Sequence, residues 1–112
     1  MTEAGMVLPI LPGKRPVLDA FAAALAGPRL AEYEESQVSV LRESWFVQAT
    51  PMGEMLVVHF EAPDIDAVMS GLATSDAPFD VWFRSQALEI TGVDLAQMPP
   101  GILQQIFKWR RA

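Results

Sequence analysis

The chain has 112 residues, 51% of them hydrophobic and 20% charged, which places it outside the composition of disordered chains and within the size range of one domain with its own core. Residues 1–112 are therefore read as a single domain. A net charge of −6 argues against a phosphate backbone as partner, and the lack of Cys excludes disulfides, thiolate nucleophiles and Cys-type metal sites, fitting a reducing, cytoplasmic location.

The N-terminal stretch MTEAGMVLPILPGKRP places an acid before its apolar run and basic residues after it, the reverse of a signal peptide. No stretch reaches the roughly 20 apolar residues of a membrane-spanning helix, so no membrane contact is expected. Met6 to Leu11 reads as a buried strand closed by Pro12 and Gly13. Pro9 inside it demands an edge position, a bulge or a backbone position that faces away from the neighbouring strand. A helix follows, with Pro16 in its first turn and a stripe of Val17, Leu18, Phe21 and Leu25. Lys14 and Arg15 precede it and are read as solvated. After Gly27 and Pro28, a second helical stretch runs from Arg29 to about Gln37, with Leu30 and Tyr33 on one side and Glu32, Glu34 and Glu35 as a solvated face.

Leu41 to Thr50 and Glu54 to Glu61 are two β-rich runs around Pro51, Met52 and Gly53, a hairpin pattern. Asp64 is placed to cap a helix with the stripe Ile65, Val68, Met69 and Leu72. Asp76 is placed to cap another, with Pro78 in its first turn, a stripe of Phe79, Phe83, Ala87 and Ile90, and Gly92 as its stop. Trp82, Phe83 and Arg84 on that helix read as packing. Beyond Pro99, Pro100 and Gly101, the run Ile102 to Trp109 has the Ile, Phe and Trp content of a final strand, and Lys108, Arg110 and Arg111 read as a solvated terminus.

This order of elements predicts an α+β fold of ferredoxin-like βαββαβ type, a four-stranded antiparallel sheet with its helices on one face. The other face then needs a cover. With Pro51 and Met52 as the central turn residues, Thr50 lies opposite Gly53 and every cross-strand pair follows. Trp45, Val47, Leu56, Val58 and Phe60 fall on the packed face. Arg42, Ser44, Phe46 and Gln48 share the other with Met55, Val57, His59 and Glu61, which places Ser44 opposite His59 and Arg42 opposite Glu61.

His59 is the single His, so sites built from several imidazoles are excluded, and no metal or other cofactor is expected. One reading makes His59 a strand histidine at a dimer seam, hydrogen-bonded to Ser44 or Gln48. The other makes it a catalytic acid or base, a role that suits an imidazole at neutral pH. A Ser-His-Glu hydrolase is disfavoured because nucleophile-elbow and oxyanion-loop motifs are absent.

In strand order and open face, the chain resembles the dimeric α+β barrel superfamily, which includes antibiotic biosynthesis monooxygenase-like, stress-responsive barrel and EthD-like domains. The stretches LRESWFVQATPMGEMLVVHFEAPDID and SDAPFDVWFRSQALEITGVDL are similar to a bacterial family of that kind with no assigned function. The resemblance implies a homodimer in which two sheets enclose a lumen, lined here by Arg42, Ser44, Phe46, Gln48, His59 and Glu61. Because the superfamily mixes cofactor-free oxygenases, haem degraders, isomerases and proteins without known activity, function does not follow from fold. A lone His gives no basis for a haem ligand. Three expectations stand: a small-molecule-binding barrel protein, a cofactor-independent monooxygenase or isomerase using His59, and a structural or regulatory interaction module.

Overall fold

Alternation of apolar and polar residues on either side of the Pro51–Met52 turn builds a hairpin, and a third alternating segment near the N-terminus joins it. In the computed structural model, which describes residues 1–111, these are β1 (Glu3–Pro9), β2 (Arg42–Thr50) and β3 (Gly53–Glu61), all antiparallel in the order β1-β3-β2. The helices are α1 (Arg15–Ala26), α2 (Leu30–Ser36), α3 (Ile65–Thr74) and α4 (Pro78–Thr91), followed by a 3₁₀ turn at Leu95–Gln97. No helix among the described residues is long and apolar enough to cross a membrane.

The hairpin register is the one read from its turn: Thr50 pairs with Gly53, Ser44 with His59 and Arg42 with Glu61. Thr50 Oγ1 accepts from the Met52 amide (3.2 Å) and donates to the Gly53 carbonyl (2.6 Å), and Gly53 takes φ 117°, where a side chain would be strained. On β1, the bonds Ile10 N to Glu54 O (3.1 Å) and Ala62 N to Thr2 O (3.0 Å) show that the even-numbered residues pair with β3. The backbone groups of Glu3, Gly5, Val7 and Pro9 therefore point to the outer edge. Pro9 sits where a missing N–H removes no ladder bond.

One sheet face carries Ala4, Leu8, Leu56, Val58 and Phe60, all buried in a single cluster with Leu18 and Phe21 of α1, Ile65 of α3, and Phe79, Phe83, Ala87 and Ile90 of α4. Phe21 is the hub of its aromatic part, with ring centroids 5.3 Å from Trp45, 5.3 Å from Trp82 and 5.1 Å from Phe83. Trp82 also receives the Arg29 guanidinium, 3.9 Å from its centroid, which ties α4 to the start of α2.

Polar pins hold the rim of this layer. Asp80, buried in the first turn of α4, accepts from Ser36 Oγ at the end of α2 and from Ser75 Oγ (2.6 Å). Arg84 donates to the carbonyls of Leu72 (2.6 Å) and Ser75 (2.8 Å). Asp64 caps α3 through the Ala67 amide (3.1 Å), and Gly92 ends α4 at φ 74°, in the left-handed region. Asp76 does not cap α4: the N-cap residue is Ala77, no side chain caps the helix, and just ahead of it the Ser75 hydroxyl, held by Asp80, accepts from the Ala77 amide (3.2 Å). Lys14 and Arg15 are not simply solvated either, since Lys14 pairs with Glu89 (3.3 Å) and Arg15 with Asp19 (2.9 Å) and Glu54 (2.7 Å).

The expected fourth strand is not formed: the sheet has three strands, and residues 102–109 adopt no regular structure. Strand propensity expresses itself through burial on a pleated surface, and Ile106, Phe107 and Trp109 are all exposed. The segment contributes only the half-buried Leu103 to the core.

Two outcomes test this packing. Phe21→Ala should lower stability by about 3–5 kcal/mol, seen as a lower urea midpoint with an unchanged slope. The second concerns Tyr33, whose hydroxyl donates to Glu43 Oε1 at 2.8 Å. Burial first, then the Glu43 charge, raises its pKa above the ordinary value of 10.0. The folded chain thus holds this proton more tightly than the unfolded one, so the stabilisation is complete below about pH 10 and declines as pH rises towards the folded value. Ultraviolet titration of this single tyrosine should show ionisation displaced upward and coincident with alkaline unfolding, and ionisation at the free-tyrosine value would contradict it.

Candidate functional site

The face turned away from the helices is built in cross-strand rows. Glu3, Glu61 and Arg42 form the first row, Gly5, His59 and Ser44 the second, Val7, Val57 and Phe46 the third, and Pro9, Met55 and Gln48 the fourth. The six residues read from the sequence as lining this surface, Arg42, Ser44, Phe46, Gln48, His59 and Glu61, thus share one face. Its two halves differ. Val7 and Phe46 each remain 58% exposed in the apolar half, while the first two rows gather carboxylates, imidazole, hydroxyl and guanidinium.

Within the polar half, Glu3 is the centre of charge. Its Oε1 lies 3.9 Å from His59 Nε2, too long for a hydrogen bond, and its Oε2 lies 3.5 Å from Lys108 Nζ. Oxygen atoms of Glu3 and Glu61 and a ring nitrogen of His59 all fall within 4.8 Å of one another. These three side chains are the described residues able to hold a cation together. Among the described residues His59 makes no hydrogen bond to Ser44 or Gln48, and Glu61 makes no salt bridge. Arg42 and Glu61 are therefore register neighbours without being an ion pair.

A cleft of about 240 Å³ opens beside this cluster, with Glu3, Gly5 and His59 on one wall and Leu103, Gln105 and Phe107 on the other. A second cavity, about 70 Å³, lies between sheet and helices among Leu18, Phe21, Leu56 and Phe83. Small-molecule pockets run to roughly 300–1,000 Å³, so the inner cavity is a packing gap and the outer cleft is half a site at most.

Glu3 is missing from the site as read from the sequence, and Lys108, read there as part of a solvated terminus, pairs with it. β1 begins three residues earlier than the apolar run at Met6 suggests, because Gly5 and the acid at position 3 lie on the uncovered face and interrupt the hydrophobic signal. The alternation Ala4, Met6, Leu8 was the available clue. Lys108 comes from a segment with no regular structure, and no local pattern could have placed it beside β1.

Comparison with known proteins yields no matching family model and no matching curated protein.

Proposed function

We propose that this chain is a ferredoxin-like domain of the dimeric α+β barrel type, which pairs with a second copy through its open sheet face and binds a small molecule between the two sheets. The observation that carries this reading is the composition of that face, with apolar Val7, Val57 and Phe46 beside a convergent group of Arg42, Ser44, His59, Glu61 and Glu3. A dry dimer core would leave those polar groups without partners, whereas a lined cavity keeps them wet or ligand-bound. A facing sheet would also enlarge a cleft that is too small alone. The order β1-β3-β2 supplies three of the four ferredoxin-like strands, and the vacant fourth place is the outer edge of β1, beside which residues 103–107 run.

An enzymatic version, a cofactor-independent monooxygenase or isomerase with His59 as acid or base, draws support from the place of His59 on the open face, its Nε2 3.9 Å from the Glu3 carboxylate. In either version Arg42, Ser44, Phe46, Gln48 and Glu61 contact the ligand.

Sedimentation at micromolar concentration should show a dimer, and Phe46→Asp should shift it to monomer, since a charge in the apolar half of the seam costs several kcal/mol on the order of a buried unpaired ion. A monomeric wild-type chain refutes the reading. For a ligand found by thermal-shift screening, His59→Ala that binds but does not turn it over supports catalysis, and unchanged turnover removes His59 from the chemistry.

A further inference from the structure

We propose that Glu3, His59 and Glu61 form a binding site for one divalent first-row transition metal ion, of the Zn²⁺, Co²⁺ or Mn²⁺ kind. The inference deepens the ligand-binding reading of the open face, because the ion would sit among the residues assigned to it.

The case begins with the sheet register. Glu3 and Glu61 lie directly across from each other on β1 and β3, and the ladder alternation makes theirs a non-hydrogen-bonded pair, the kind with the closest side chains. Like charges in that position repel, and neither Lys108, paired with Glu3 alone, nor Arg42, opposite Glu61 but outside salt-bridge distance, bridges the two carboxylates. A cation between the carboxylates does. His59, two residues before Glu61 on the same face and diagonal to Glu3, brings a ring nitrogen to the same spot, completing three ligand atoms within 4.8 Å of one another. All three side chains are partly buried, with Glu3 at 26% exposure and His59 at 39%, so they are less free to disperse into solvent than surface acids.

Charge supports the same conclusion. Lys108 already places an ammonium 3.5 Å from Glu3 Oε2, which shows that the field at this point draws a cation. Its lysine is 41% exposed and comes from an irregular segment, so the pair is displaceable. Two carboxylates neutralise a divalent ion, and the imidazole selects among metals: Ca²⁺ and Mg²⁺ prefer oxygen donors alone, whereas mixed nitrogen and oxygen sites suit Mn²⁺ to Zn²⁺. Three protein ligands leave at least one coordination position open. Ser44 and Arg42 lie in the same two cross-strand rows as the three ligands.

Titration of the full chain with Co²⁺, read by its visible absorption, tests the site. One ion per chain is expected, with affinity falling roughly 10- to 100-fold or more in His59→Ala, Glu3→Gln and Glu61→Gln, since even the outer partners of metal ligands have effects of that size. Lys108→Ala should tighten binding by up to about fivefold. Glu35→Gln on α2 should leave it unchanged. Absence of spectral change at millimolar Co²⁺, or uptake indifferent to all three ligand substitutions, overturns the proposal. Sedimentation on the same samples separates the two readings: a dimer without Co²⁺ uptake refutes the metal site alone, and a monomer whose uptake responds to the substitutions keeps the metal site while refuting the barrel.

Discussion

The molecule depends on the pairing of Thr50 with Gly53. Because side chains alternate faces with a period of two, this one closure decides which residues of β2 and β3 meet the helices and which do not. A slip of one residue on β2 would carry Trp45 away from Phe21 and Val47 out of the core, and would bring Arg42 or Ser44 into an apolar interior with no partner. The aromatic cluster and the polar patch are thus two results of the same turn. The Thr50 hydroxyl, bonded on both sides within the loop, and the glycine at position 53 are what hold it.

Much of this was legible in the residues. The stripes of α1, α3 and α4 were readable because each repeats at helical spacing and ends at a Pro, Asp or Gly with a defined backbone role. The faces of the hairpin were readable because its loop is two residues long. Three things were hidden. The start of β1 was masked by the acid and glycine of its exposed face. The start of α4 was hidden because its N-cap is Ala77, with no side-chain cap, while Asp80 reaches back from the first turn to bond Ser75 ahead of the helix. The course of residues 102–109 was misread as a strand because their propensity is high, whereas pairing and burial are tertiary events.

The two sides of the sheet hold their polar groups differently. On the helical side the polar side chains are joined in bonds: Glu43 takes bonds from Tyr33 and Trp45, Asp80 from two serines, and Arg84 gives to two carbonyls. No buried side-chain polar atom among the described residues lacks a partner. On the open side Glu3, Glu61 and His59 stand near one another at distances beyond hydrogen bonding. A saturated network rigidifies its surroundings, and an unsaturated one leaves capacity for something not in the chain.

Pro9 sets a limit on what can grow from this sheet. The outer edge of β1 offers the backbone amides of Glu3, Gly5 and Val7, but at Pro9 the donor is missing. An added strand can pair from Glu3 as far as Val7 and loses its donor at Pro9. The residue that costs the fold nothing therefore shortens the edge on which a further chain could pair.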